Sequence, residues 1–146
     1  MTNMFAPQIL NELMGYELQS LAIRAIESTT FISGLTLAEE PLVRQLALQH
    51  RKNAARLADV VSSLGASPGM RSLDAATGDL HFVDLTQTLP RIVEYQQRLI
   101  RLYEDAGPQL SETPSAAMIV ANILEQHMAM LAELLALTDH THTASS

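Results

Sequence analysis

The sequence predicts an all-α protein built as an antiparallel bundle of four long helices, and three observations predict it. Apolar residues recur at steps of three and four through nearly the whole chain, and period-two alternation is missing. Three glycines, Gly34, Gly65 and Gly107, fall where the periodic segments stop, as expected of residues that adopt a left-handed cap. Capping signals open the segments that follow. Thr36 with Glu39 and Asp84 with Gln87 have capping-box spacing, and Thr113 precedes Pro114 as an N-cap precedes the first helical position.

These signals place helix one over about 7–32, helix two over about 37–64, helix three over about 85–106 and helix four over about 114–138. Helices of ~22–28 residues measure roughly 33–42 Å at 1.5 Å per residue, the proportions of an elongated bundle. Short links make hairpins of helices one and two and of helices three and four. The link between helices two and three, from Gly65 to Asp84, is long enough to cross the length of the bundle. A single domain over 1–138 and a flexible tail over 139–146 complete the expected organisation.

Composition narrows the function. A chain of 146 residues that is 47% hydrophobic can bury a sizeable core as one domain. The absence of cysteine removes disulfide frameworks, zinc ribbons and thiol nucleophiles. A net charge of −7 argues against a nucleic-acid partner, since phosphate binding needs clustered Lys and Arg. There is no Gly-rich phosphate loop, no HExxH sequence and no arguable Ser/His/Asp set, so no nucleotide cofactor or hydrolase chemistry is expected. The start, MTNMFAPQ, does not read as a signal peptide, and no run reaches the ~20 apolar residues of a membrane span, so a soluble, cytoplasmic protein without a membrane partner is expected. Second apolar stripes, such as Val93 and Ile100 on helix three, lead to the expectation of a homodimer.

The informative feature is where the core stripe turns polar. On helix two the stripe runs Leu46, His50, Asn53, Leu57, Val60 and Leu64; on helix three it runs Leu85, Leu89, Ile92, Gln96, Leu99, Tyr103 and Ala106. Helix four gives Ala117, Val120, Leu124, His127, Leu131 and Leu134, and helix one Leu10, Leu13, Glu17, Leu21 and Ala25. Each interruption is near the midpoint of its helix, and midpoints of equal helices packed side by side share a layer whichever way each helix points. Glu17, His50, Asn53, Gln96 and His127 are therefore expected to meet. Such groups cost several kcal/mol to dehydrate unless they bond one another, water or an ion. Glu94 competes for the helix-three position, but it shares its side with Arg91, Arg98 and Arg101, which reads as a solvated charged face.

With that layer assembled, the chain resembles the bacterioferritins and their ferritin-like relatives. LNELMGYEL in helix one is similar to the bacterioferritin opening, the run from His50 through LGASP to the end of the family's second helix, and YEDA and HMAMLAEL to parts of the third and fourth. The resemblance implies the one-crossover ferritin-like bundle, and it places the family's helix-one iron ligand on Glu17. Those relatives hold two irons with a Glu from each of two helices and a Glu-x-x-His pair from each of the other two. By register the first pair reads here as His50 and Asn53, the lone helix-three Glu as Gln96 and the second pair as Leu124 and His127. Only Glu17 and His127 keep the family's residue types, and Arg51 occupies the position of the haem-ligating Met, so no haem is expected.

One carboxylate cannot offset two cations in a dry core, so a standard ferroxidase centre is not expected. Glu17, His50 and His127 instead form a two-His, one-carboxylate set suited to a single Fe or Zn ion, with Asn53 and Gln96 as supporting or weak oxygen ligands. Two other readings stay open: a metal-free network that makes the bundle a binding or scaffold protein, and an oxygen-dependent enzyme using the same set. Three further features carry ordinary expectations. Arg24 packs its stem and reaches the surface; Met14, Met118, Met128 and Met130 are core filler or dimer contact; His140 and His142 belong to a solvated tail.

Overall fold

The computed structural model describes residues 5–27, 35–69 and 88–144, with side chains as far as 138. They form α1 (Phe5–Leu18), α2 (Leu21–Glu27), α3 (Glu39–Ser63), α4 (Thr88–Gln109) and α5 (Pro114–Ala144). The first expected helix is thus divided, and the cause is local. Ser20 Oγ accepts from the Ile23 N–H at 3.1 Å while the Ser20 carbonyl accepts from the Arg24 N–H at 3.2 Å, so a serine that bonds nearby backbone caps a fresh start. This corrects the placing of the long link: with the first helix in two pieces, the link joins the third and fourth helices, α3 and α4, rather than the second and third. Residues 70–87, including the Asp84 and Gln87 signal, lie outside the described residues, as do Gly34 and the end of the first expected helix.

The ends of α3 follow the sequence closely. The Thr36 N–H donates to Glu39 Oε1 at 3.0 Å and the Glu39 N–H donates to Thr36 Oγ1 at 3.1 Å, the reciprocal bonds of a capping box. At the other end Gly65 has φ +82°, and bonds from Gly65 N–H to Ser62 O (3.0 Å) and from Ala66 N–H to Val61 O (3.2 Å) make a Schellman stop. Thr36→Ala should lower stability by about 1 kcal/mol, which for a chain of this size lowers the melting temperature by about 3 °C. A calorimetric scan with no downward shift would show that the box contributes nothing. Gly107 behaves differently from expectation: its φ is not positive, and α4 continues through Pro108 to Gln109. The physical reason is Leu110 beyond it, fully buried, which the added turn delivers to the core.

Two apolar clusters define the bundle. One joins Leu10 and Leu13 of α1, Leu57 and Val61 of α3, Leu99, Tyr103 and Ala106 of α4, and Val120 and Ile123 of α5. The other joins Leu21 and Ala25 of α2, Val43 and Leu46 of α3, Leu89 and Ile92 of α4, and Met130 and Leu134 of α5. The first cluster therefore takes the start of α1, the ends of α3 and α4 and the start of α5. Hence α1 with α2 packs antiparallel on α3, and α4 packs antiparallel on α5. Since α3 and α4 run the same way, the link between them joins opposite ends of the molecule. Around the bundle, α1 neighbours α3 and α4, and α5 neighbours both of these, which leaves α1 and α5 on a diagonal.

Some core positions differ from the expected stripe. On α5 the buried line is Ala116, Val120, Ile123, His127, Met130 and Leu134, while Ala117, Leu124 and Leu131 flank it half-buried. The helix presents a broad apolar face, so spacing alone could not choose between adjacent lines. By length and composition α5 could cross a membrane over Pro114–Thr138, at a mean hydropathy of 1.2 and with 28% of its apolar window buried; the line it does bury packs in the bundle and includes His127. Val93 and Ile100, the motive for expecting a dimer, are buried within one chain. The large exposed apolar side chains on α5 are Met118, Met128 and Leu135.

Candidate metal centre

Between the two apolar clusters lies a polar layer. Glu17 comes from the last turn of α1, His50 and Asn53 from one face of α3, Gln96 from the middle of α4 and His127 from the middle of α5, and none is more than 1% exposed. Hydrogen bonds join four of the residues expected to meet, Glu17, His50, Gln96 and His127, while Asn53 is buried one turn from His50 and bonds Gln49 instead; the core stripe of each helix carries all of them inward. Glu94 points the other way: it is 44% exposed and pairs with Arg98 at 2.6 Å and Arg91 at 3.6 Å.

Glu17 is the hub. Its Oε2 accepts from His50 Nδ1 at 2.5 Å, and its Oε1 accepts from His127 Nε2 at 2.5 Å and from the Tyr103 hydroxyl at 2.6 Å. The bond to His127 spans the diagonal, so one carboxylate ties together α1, α3, α4 and α5. The two imidazole rings lie 5.2 Å apart between centroids. Gln96 Nε2 donates to His127 Nδ1 at 2.7 Å, which fixes the His127 proton on Nε2, facing Glu17. Gln49, half-buried on α3, donates to Asn53 Oδ1 at 3.0 Å and to Gln126 Oε1 at 2.8 Å.

Burial alone would push the Glu17 carboxyl up, yet hydrogen bonds from His127 and His50, with the attraction of the two rings, outweigh it and hold the pKa down at about 2. Glu17 is therefore a carboxylate at neutral pH. Burial first, then the Glu17 charge and the bond to it, keep the Tyr103 hydroxyl protonated far above its usual range. Because the folded value of Glu17 lies below the ordinary 4.5, its stabilisation is complete above pH 4.5 and fades as pH falls toward 2. The gap corresponds to about 3 kcal/mol. Urea titrations between pH 5 and 2 should show wild type losing this increment relative to Glu17→Gln; parallel losses in the two proteins would refute the assignment.

Three buried atoms in the layer have no hydrogen-bond partner among the described residues: His50 Nε2, Asn53 Nδ2 and Gln96 Oε1. Carboxylate and ring nitrogens from Glu17, His50 and His127 all lie within 4.8 Å of one another, and the set could hold a metal ion. Ligands around a tetrahedral zinc at 2.0–2.1 Å sit roughly 3.3 Å apart. The 2.5 Å contacts now hold protons, so an ion would replace those protons and spread the ligands by less than ~1 Å.

In the sequence Tyr103 reads as one more core residue of the stripe, and the only sign of its hydrogen bond is its place one heptad beyond Gln96, which puts a hydroxyl on the same face. Gln49 and Gln126 left no signal, since they sit beside the stripe among ordinary surface polars.

No protein-family model, no curated protein and no solved structure matches the chain. Its class rests on fold and site: an all-helical four-helix protein with a buried Glu/His/His cluster that could bind one metal ion.

Proposed function

We propose that this protein binds a single divalent transition-metal ion, iron or zinc by ligand type, through Glu17, His50 and His127, as a relative of the bacterioferritins that has lost the two-iron centre. The convergence of three ligand atoms around one ionised, buried carboxylate carries the reading. Charge supports one ion rather than two, since Glu17 is the sole carboxylate among the described residues of the layer and two divalent cations would leave too much uncompensated charge. The Gln96 amide supports it as well. Turned over, its unpartnered Oε1 would accept a hydrogen bond from a His127 Nδ1–H and leave the ring's Nε2 free to coordinate, the arrangement that orients metal-bound histidines.

The test is metal content of protein made without a histidine tag, after growth with iron, zinc and manganese and again after incubation with Zn(II), Co(II) or Fe(II). About one ion per chain is expected. No uptake of any of the three would overturn the proposal and favour a metal-free structural network. One observation favours that second reading: both Glu17–His contacts are already of hydrogen-bond length and satisfy the carboxylate by themselves.

A further inference from the structure

The geometry points to the line where α3 meets α5 as the access route for solvent and ions to the buried cluster, with Gln49 and Gln126 as its two movable residues. The inference deepens the metal-binding reading and rests on it for the ion.

Glu17, His50 and His127 are at most 1% exposed, so anything that reaches them has to part a cover. Along the bundle axis the cover is apolar, with Leu57, Leu99 and Ile123 on one side and Leu46, Ile92 and Leu134 on the other. Between α1 and α4 it is made of rings: the Tyr95 hydroxyl donates to the Tyr16 carbonyl at 2.6 Å, and Tyr103 is wholly buried. Between α3 and α5, where the two hairpins meet, a polar chain runs from the surface inward. Arg56 Nη2 donates to Asn122 Oδ1 at 2.7 Å, Gln126 Nε2 reaches the same oxygen at 3.4 Å, and Gln49 Nε2 links Gln126 Oε1 to the fully buried Asn53 Oδ1. Asn53 lies one turn from His50, and this inner end carries two of the unpartnered atoms, Asn53 Nδ2 and His50 Nε2.

Such a chain opens differently from a hydrophobic seal. Water can take over each amide bond as the side chain swings aside, so parting the line exposes few apolar atoms. Glutamine has the rotamer freedom for it, and side-chain flips are fast compared with motions of whole helices. Gln49 and Gln126 bond none of the three proposed ligands, Glu17, His50 and His127, and Gln49 reaches the layer only through Asn53 Oδ1, so changing them alters passage rather than the ligands.

A residue that only guards a route changes association and dissociation by the same factor and leaves their ratio alone. In the Gln49→Leu/Gln126→Leu double variant, stopped-flow binding of Co(II) should slow about tenfold in both directions, with one ion bound at unchanged Kd. The Gln49→Ala/Gln126→Ala variant, which removes the cover, should speed both. In metal-free protein, NMR exchange of the His50 Nδ1–H with water should follow the same order, slower with leucines and faster with alanines. Unchanged rates and exchange in both variants, or a change in Kd at constant association rate, would overturn the inference. If wild type takes up no metal while proton exchange follows the expected order, the metal reading fails and the route stands for solvent.

Discussion

Glu17→Ala should lower the folding stability by about 4 kcal/mol, the largest single effect expected in this protein. The alanine leaves two imidazole N–H groups and a phenol without their acceptor, all at full burial. Removing one partner of a buried hydrogen-bonded set costs about 3–5 kcal/mol because the others stay dehydrated and unpaired. For a chain of this size the loss lowers the melting temperature by roughly 10 °C. Tyr103→Phe, which removes one donor and leaves the pair with both histidines, should cost about 1–2 kcal/mol. If Glu17→Ala melted within a degree or two of wild type, Glu17 would not be the hub of the layer.

His127→Ala should weaken binding of Zn(II) or Co(II) by more than ~100-fold, beyond the 10–100-fold typical of losing a group that merely orients a ligand. The ring reaches Glu17 across the diagonal, and among the described residues no other imidazole joins Glu17 and His50 to take its place. Free imidazole should restore part of the affinity, because it fits the void and brings the missing donor. Gln96→Leu tests the supporting role separately: with His127 still present it should fall within the ~10–100-fold range. Calorimetric titration distinguishes these outcomes, and equal affinity in wild type and His127→Ala would remove His127 from the ligand set.

Much of the layer was legible because burial in a long helix has a strict spacing. His50 and Asn53 stand out as polar residues three apart in a run of leucines and valines, and Gln96 and His127 each break a single stripe. The same logic turned Glu94 outward beside its arginines. Breaks in a helix were harder to read. Ser20 looks like any small polar residue on a helix, and only its bond to the Ile23 N–H reveals a cap. Gly107 looks like a stop, yet the burial of Leu110 carries the helix past it.

The sequence by itself determined which polar residues interrupt the core, though not every apolar residue beside them. Composition and three-to-four spacing select four long apolar faces and put one acidic, two imidazole and two amide side chains at their midpoints, a property each helix carries alone. Tertiary structure decided who bonds whom. Placing α1 and α5 on a diagonal brought Glu17 within reach of both histidines, recruited the Tyr103 hydroxyl, and laid Gln49 against Gln126 where the hairpins meet. Helical spacing has no term for these pairings, since they depend on axial offsets and rotations between helices that are set by how whole apolar faces pack.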